Sequence, residues 1–237
     1  MATKGGRTKA TTKVDDDAAP AAYANFRDQP IGALWRARRQ LGNAVRGVLD
    51  QLIGVEMTES ELRDAALQFE SYGRDLAARP HTSLQEAFDR VQRGGSEMQL
   101  SDVAWRLDYG PSLGFCNPVA APIRTWQTDR GTRGTVTFGA RYEGPPGYVN
   151  GGYVAAALDE VLGLSAALSG MQAMTGTLSV SFRKPTPLGR ELSLSGELVG
   201  VDGRKIRTEA RIHDGEELLA EADGLFIAVR LASTDGA

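Results

Sequence analysis

Hydrophobic residues recur at two different spacings along this chain of 237 residues. Over roughly the first hundred residues the apolar positions lie three or four apart with charged residues between them, as in amphipathic helices. After Gly110-Pro111 many apolar residues alternate with polar ones, which is the spacing of strands that bury one face. The pattern therefore predicts a helical first part followed by a β-sheet.

The helical part divides at recognisable start and stop signals. Apolar spacing predicts helices over 31–53, 58–80 and 83–94, although glycines weaken the helix propensity of the first. Thr58 and Glu61 form the S/T-x-x-E capping box that begins the second helix. We therefore expect helices or disordered segments rather than strands before the sheet.

Strands are predicted wherever apolar and polar residues alternate. These segments contain Val136, Phe138, Ala140 and Tyr142; Leu178, Val180 and Phe182; Leu192, Leu194 and Leu198; and Ile206, Thr208, Ala210 and Ile212. Asp202-Gly203 and Asp214-Gly215 favour two-residue turns, so the last three strands should form an antiparallel meander. The segment 151–169 is rich in Ala and Leu without alternation, which predicts one helix embedded in the sheet.

Composition removes several classes of function. A net charge of -3 and a pI near 5.5 give no drive toward nucleic acid or an anionic membrane. The single cysteine excludes an intramolecular disulfide, and two histidines disfavour a histidine triad or a multi-histidine metal site. The chain has neither an apolar run of membrane-spanning length nor the apolar region of a secretory signal. We expect a cytoplasmic protein without a bound metal, whose catalytic base is a carboxylate.

The segment from Gly144 to Glu160 carries the most chemical information. Asn150 is a preferred N-cap, and Gly151 and Gly152 follow it at the first helical positions, where propensity alone disfavours glycine. Without side chains there, a ligand can reach backbone N–H groups at the positive end of the helix dipole. Such a helix start suits a polarised carbonyl or an oxyanion.

Farther along the same predicted helix, Asp159 shares a face with Gly152 and with the small residues Ala155 and Ala156. Glu160 is turned by about 100° around the helix, so Asp159 is the better candidate for a functional carboxylate. Roughly 10 Å along the axis separates Gly152 from Asp159, and a dimer would allow such groups from two chains to meet.

The segment from Asn117-Pro118 through Phe226 resembles the hotdog-fold thioesterases, specifically the small acyl-CoA thioesterases with a His-Gly-Gly helix start and an acidic residue along the helix. The resemblance depends on Asn150-Gly151-Gly152, Asp159, Thr175, Arg183-Lys184-Pro185, Gly203-Arg204-Lys205 and the segment 220–226. It implies an α+β hotdog fold, in which an antiparallel sheet wraps around one central helix. It also implies a homodimer or a dimer of dimers with active sites at the interface.

The same resemblance implies roles for individual residues. Asp159 is the general base or nucleophile, Thr175 helps to hold the attacking water, and N–H groups near Gly151 and Gly152 polarise the thioester carbonyl. Members of the family often bind the phosphates and nucleotide of coenzyme A at positions that correspond here to Arg183, Lys184, Gly203, Arg204 and Lys205. Coenzyme A is then part of the substrate, and no separate cofactor is expected.

The function implied is hydrolysis of an acyl-coenzyme A thioester to the free acid and coenzyme A, a reaction of lipid metabolism. One residue departs from the family pattern, because Asn150 stands where the usual residue is histidine. Asparagine can cap the helix and donate a hydrogen bond, but it cannot carry a proton near neutral pH. The alternative is a non-catalytic acyl-CoA or lipid-ligand binding module whose N-terminal helices contact a partner. A hotdog dehydratase is disfavoured because that chemistry normally uses the missing histidine.

The predicted organisation has four parts. A mobile tail over 1–25 precedes a helical extension over 26–106, a hotdog domain over 107–231 and a flexible C-terminus over 232–237. The tail is assigned no fold because its mixture of charged residues, Ala and Pro offers no apolar face to bury.

Overall fold

The computed structural model of the chain describes residues 32–81, 108–129 and 131–229. The predicted third helix over 83–94 and the predicted tails over 1–25 and 232–237 lie outside the described residues.

Three helices and six strands make up the described parts. The helices are α1 (Gly32–Leu52), α2 (Glu59–Ala77) and α3 (Gly151–Ala166). The strands are β1 (Arg124–Thr128), β2 (Gly131–Thr137), β3 (Ala173–Phe182), β4 (Glu191–Asp202), β5 (Lys205–Asp214) and β6 (Glu217–Ala228). The α+β class and the order of helices before strands are as predicted.

All six strands belong to one antiparallel sheet with the order β1-β2-β4-β5-β6-β3. Strands β4, β5 and β6 form the predicted meander, since each pairs with the next. Gly203 and Gly215 begin the two connecting turns with φ angles of 55° and 60°, which glycine adopts at little cost. Strand β3 lies at one edge of this sheet, paired with β6.

Helix α3 is the predicted embedded helix and packs against β2, β3, β4, β5 and β6. Its buried residues are Val154, Ala157, Leu158, Val161, Leu162, Ser165 and Ala166. Two sheet glycines permit its close approach: a Cβ at Gly196 would lie 2.6 Å from Val161 Cγ1, and one at Gly224 would lie 3.2 Å from Leu162 Cδ1. The segment Gly151–Ser169 is apolar and long enough to cross a membrane by composition, but its packing is that of a core helix.

Side chains from the sheet also hold the C-terminal end of α3. Gln127 Nε2 donates to the carbonyl of Leu164 at 3.1 Å, which satisfies one of the helix-end carbonyls that lack an intrahelical partner. Ser165 Oγ donates to Thr132 Oγ1 at 3.1 Å, and both side chains are buried. These polar contacts fix the position of the helix along the sheet.

Asp108 is fully buried and joins α1 to the rest of the domain. Its Oδ2 accepts hydrogen bonds of 2.6 Å from Trp35 Nε1 and from Arg39 Nε, while its buried Oδ1 has no hydrogen-bond partner among the described residues. The Cys116 thiol lies 3.9 Å from the same oxygen, and burial together with the charge of Asp108 raises its pKa to about 12. Cys116 is therefore a buried structural residue.

Farther along α1, Arg46 fixes the helix to a neighbouring loop. Its Nη2 donates to the carbonyl oxygens of Gly114, Phe115 and Asn117 at 3.4, 3.3 and 2.9 Å. A Cβ at Gly42 would lie 2.5 Å from the Phe115 carbonyl oxygen, so glycine allows the helix to approach this closely. The glycine that weakens helix propensity is thus used for docking.

Helix α2 begins at the predicted capping box. Glu61 N donates to Thr58 Oγ1 at 3.3 Å, and Thr58 N donates to Glu61 Oε2 at 2.8 Å. None of its residues is buried, and Leu62 and Phe69 are half exposed. Local capping, rather than packing on the described residues, therefore accounts for where this helix begins.

Two strand predictions need correction. The alternation that predicted a strand through Tyr142 continues only to Thr137, because Ala140–Tyr142 forms a 3₁₀ turn. Tyr142 is nevertheless buried, so the inward position was correct and the local conformation was wrong. Strand β1 was not predicted, because its sequence Arg-Thr-Trp-Gln-Thr has one apolar residue and so no readable alternation.

Replacing Gly42 by alanine should lower the free energy of unfolding by about 1–3 kcal/mol, because the added methyl overlaps the Phe115 carbonyl. Gly47→Ala on the same helix is the matched control, since nothing lies within 4 Å of its added Cβ. That control should gain up to about 1 kcal/mol from helix propensity. Urea unfolding of both variants measures the difference, and equal effects would contradict the close docking of α1.

Candidate active site

Asn150 begins α3 as its N-cap, as predicted. Its Oδ1 accepts a hydrogen bond from Gly152 N at 2.9 Å, and its carbonyl oxygen accepts one from Tyr153 N at 3.0 Å. Its own N–H donates to the carbonyl of Tyr142 at 2.8 Å, which ties the cap to the buried 3₁₀ turn. The start of the helix is therefore fixed from both sides.

The two glycines after the cap differ in what their N–H groups contact. Both N–H groups were predicted to face a ligand carbonyl, but the Gly152 N–H already donates to Asn150 Oδ1. The Gly151 N–H has no acceptor among the described residues. Since Oδ1 is used in the cap, the Asn150 amide presents its Nδ2 as a second donor, an orientation assigned from that hydrogen bond. The available donors are the Gly151 N–H and the Asn150 amide.

Packing also explains a glycine at 151. A Cβ there would lie 3.3 Å from Phe182 Cζ, at the end of edge strand β3. Any side chain at this position would push the aromatic ring away from the helix. Gly151 thus allows β3 to pack close to the helix and leaves the helix N-terminus open to a ligand.

Asp159 and Thr175, both predicted site residues, are brought together by the fold. Thr175 Oγ1 donates to Asp159 Oδ1 at 3.0 Å, and Oδ2 accepts no hydrogen bond from the described residues. Asp159 is half-buried, as are Ala155 and Ala156 on the predicted small-residue face, whereas Thr175 is exposed. The threonine therefore orients the carboxylate and leaves one oxygen open to solvent or a ligand.

The helix N-terminus and the carboxylate do not meet within one chain. Positions 151 and 159 are eight residues apart, which is about 12 Å along the helix axis. The two groups also lie toward opposite ends of strand β3, because Gly151 lies near Phe182 at one end while Asp159 bonds Thr175 near the other. One thioester carbonyl cannot contact both groups of the same chain.

The predicted phosphate-binding residues fall into two separate pairs. Arg183 Nε donates to Glu221 at 2.9 Å and holds the pKa of that carboxyl below its ordinary value, and Lys184 pairs with Glu217. Arg204 Nε instead donates to the carbonyl of Ala228 at 2.9 Å, next to Lys205 and Gly203 in the β4–β5 turn. About seven residues of β6 lie between the pairs, which is roughly 23 Å of strand. Across the described segments, no cluster of three His, Cys, Asp or Glu side chains is placed to hold a metal ion.

Several residues that support the N-terminus of α3 were not predicted from the sequence. The Tyr142 hydroxyl donates to the carbonyl of Val119 at 3.1 Å, and its ring meets that of Tyr153 edge-on with centroids 4.8 Å apart. Burial raises the pKa of Tyr142 above its ordinary value. Arg141 in turn forms an ion pair with Asp50 of α1, 91 residues earlier in the chain. Contacts over such distances leave no local signal in the sequence.

One helix packed into a six-stranded antiparallel sheet, with a carboxylate on the exposed side of that helix, defines this molecule as a hotdog-fold protein. The family model described as Thioesterase superfamily matches residues 146–221. A crystal structure of a thioesterase superfamily protein is 31% identical with a TM-score of 0.66, and the match covers 84% of this chain and 96% of that one. The chain belongs to the thioesterase superfamily.

Curated relatives carry more specific names. Acyl-coenzyme A thioesterase THEM4 of Xenopus laevis is 36% identical over 91 residues, which cover 38% of this chain and 41% of the relative. Acyl-coenzyme A thioesterase THEM5 of Mus musculus is 28% identical over 198 residues, which cover 73% of this chain and 78% of the relative. The chain thus matches only about two fifths of the length of THEM4.

Replacing Asn150 by alanine should lower the free energy of unfolding by about 1 kcal/mol, because the Gly152 N–H loses its acceptor. Asn150→Asp is the matched control, since its carboxylate can still accept that hydrogen bond and should stay within about 0.5 kcal/mol of the parent. Chemical unfolding distinguishes the two. An alanine variant as stable as the parent would show that the cap does not hold the helix.

Proposed function

We propose that the chain is an acyl-coenzyme A thioesterase, which hydrolyses a thioester to a free acid and coenzyme A. The observation that carries the proposal is the Asp159 carboxylate, which Thr175 orients on the exposed side of the central helix. Membership of the thioesterase superfamily and the names of the THEM4 and THEM5 relatives support the same reaction. Whole-protein activity is proposed here because the match to THEM4 is partial.

The chemistry follows from the two oxygens of Asp159. Oδ1 is held by the Thr175 hydroxyl, so Oδ2 is the oxygen that takes a proton from water or attacks the carbonyl carbon directly. The carbonyl oxygen gains negative charge while the new C–O bond forms. When the C–S bond breaks, the sulfur leaves with its electron pair and becomes the thiol of coenzyme A by taking the proton that Oδ2 removed from water. If Oδ2 attacks directly, the thiolate takes a proton from solvent water, and a second water hydrolyses the acyl anhydride of Asp159 to the free acid and the carboxylate.

The oxyanion is stabilised by donors that do not move during the reaction. In this chain those donors are the Gly151 N–H, at the positive end of the helix dipole, and the Asn150 amide. Neither donor needs the proton transfer that histidine performs, so Asn150 is compatible with hydrolysis. The open donors thus favour the thioesterase over a purely binding role.

The active site is proposed to combine two chains of a homodimer. Edge strand β3 is ten residues long and exposes Met174 and Phe182 by 62% and 56%. Antiparallel pairing of two such strands around a two-fold axis covers these side chains and removes the open edge. It also sets the Thr175 end of one β3 beside the Phe182 end of the other. Asp159 of one chain and Gly151 of the other then face one carbonyl.

Arg204 and Lys205 are the better candidates for the phosphates of coenzyme A. No carboxylate of the described residues lies within ion-pair distance of either, whereas Arg183 and Lys184 already pair with Glu221 and Glu217. An anion at Arg183 and Lys184 would have to displace an existing carboxylate partner. A phosphate at the β4–β5 turn meets no such competition.

Asp159→Asn should lower kcat for a hydrolysed acyl-CoA by at least about a hundredfold, because the amide cannot accept a proton from water. The amide oxygen can still accept the Thr175 hydrogen bond, so the fold should be retained. Glu160→Gln on the adjacent position is the matched control and should turn over near the parental rate. Assays of thiol release measure both variants, and near-normal turnover by Asp159→Asn would remove the residue from the mechanism.

Mixing Asp159→Asn with Asn150→Asp tests the shared site. Each variant alone should be nearly inactive, but random mixed dimers should restore about a quarter of the parental activity, because half are mixed and each has one intact site. Mixing Asp159→Asn with Thr175→Val is the control, since both changes affect the same half-site and no intact site forms. Equal activity of the two mixtures would contradict a site built from two chains.

A further inference from the structure

A cavity of about 300 Å³ lies where the C-terminal end of α1 meets the start of α3. Its lining residues are Leu49, Leu52, Ile53, Val119, Arg141, Tyr142 and Tyr153. Small-molecule sites in proteins start at about this size and are mostly apolar. The proposed chemistry does not use this cavity.

The walls of the cavity are held in place before any ligand binds. The Arg141 guanidinium forms an ion pair with Asp50, and the Arg141 N–H donates to Asp50 Oδ1 at 3.3 Å. One turn earlier in α1, Arg46 binds three carbonyls of the loop that leads to Val119. The cavity is therefore a preformed feature of the docked helix rather than a gap beside a loose one.

Most polar groups of the Arg141 and Tyr142 side chains are already engaged, and most of the remaining lining is apolar. Arg141 Nη2 donates to the Tyr142 hydroxyl at 2.8 Å, and that hydroxyl donates to the carbonyl of Val119. Arg141 Nη1 is engaged by Asp50, while its Nε is buried and has no hydrogen-bond partner among the described residues. A polar ligand would find few partners here, whereas a hydrocarbon would lose none.

Apolar side chains around the cavity are unusually open to water. Leu52, Ile53 and Val119 are exposed by 47%, 50% and 57%, although they lie around one depression. Clustered exposed apolar residues mark places that bind apolar partners. A ligand that fills the cavity would cover them.

Two residues that line the cavity, Tyr142 and Tyr153, also adjoin the start of α3 in the candidate active site. Tyr153 directly follows Gly152 at the start of α3, and Tyr142 accepts the hydrogen bond of Asn150 N at 2.8 Å. Consider an acyl group whose carbonyl oxygen accepts a hydrogen bond from the Gly151 N–H. Its hydrocarbon chain then starts near the apolar cavity, because the lining residue Tyr153 is two positions after Gly151.

We propose that this cavity receives the acyl chain of the substrate, so that α1 contributes to acyl-length specificity. This inference rests on the proposed thioesterase function. A methylene group is close in size to a water molecule, which occupies about 30 Å³ of liquid, so about ten such groups fill the space. The substrate class is accordingly an acyl-CoA of medium chain length.

Binding of thioether analogues tests the inference without requiring hydrolysis. Calorimetry compares S-decyl-coenzyme A with S-ethyl-coenzyme A on the full chain, and the parent should bind the decyl compound more tightly. Leu52→Trp fills the cavity and should raise the Kd for S-decyl-coenzyme A at least about tenfold, because two methylenes that lose burial cost that much. Its Kd for S-ethyl-coenzyme A should change less than about twofold, since both analogues share the nucleotide and phosphates.

Leu41→Trp is the matched control, because Leu41 is equally exposed on α1, by 47%, and lies outside the cavity. It should bind both analogues like the parent. Val119→Trp fills the cavity from the opposite wall and should reproduce Leu52→Trp, which guards against misfolding of a single variant.

The outcomes separate the cavity from the chemistry. Unchanged S-decyl-coenzyme A binding in both cavity variants, or an equal loss in Leu41→Trp, overturns the acyl site even if the chain hydrolyses thioesters. If binding depends on acyl length and Leu52→Trp abolishes that dependence, the acyl site is supported. A parent chain that releases no coenzyme A from decanoyl-CoA overturns the proposed thioesterase function but leaves this binding result intact.

Discussion

The close packing of α3 on the sheet is the constraint on which the rest of the structure depends. Val154, Leu158 and Val161 are completely or almost completely buried there, and each contributes about 1.5–3 kcal/mol of apolar burial. The helix can approach only because Gly196 and Gly224 leave room on β4 and β6. This packing holds the helix in one register on the sheet. The register determines the position of every polar group on the open side of the helix.

That register divides the candidate site into two halves. One half is the capped helix N-terminus, where the cap consumes the Gly152 N–H and leaves Gly151 as the open donor. The other is the Asp159–Thr175 pair, about 12 Å farther along the helix. The proposed homodimer, paired along the open edge of β3, would bring complementary halves together. The N-terminal helix α1 then borders the helix start of its own chain through the Arg141–Asp50 ion pair.

Local signals predicted what depends on local physics. The capping box at Thr58, the meander turns at Gly203 and Gly215 and the N-cap at Asn150 all follow from residues a few positions apart. The pairing of Asp159 with Thr175 came from a family pattern, since periodicity places them on different elements. Nothing local predicted that Asp50 of α1 would hold Arg141, or that the alternation through Tyr142 would end in a 3₁₀ turn. Those features depend on how distant segments pack.

The most direct test of the central claim is release of coenzyme A from decanoyl-CoA by the purified chain, followed with a chromogenic thiol reagent. Cys116 does not interfere, because burial and Asp108 raise its pKa to about 12 and keep the thiol unreactive. An acyl-coenzyme A thioesterase should show saturable release over many turnovers, with one carboxylic acid formed for each thiol. Tight binding of decanoyl-CoA without release of coenzyme A would contradict this function and identify the chain as a binding module.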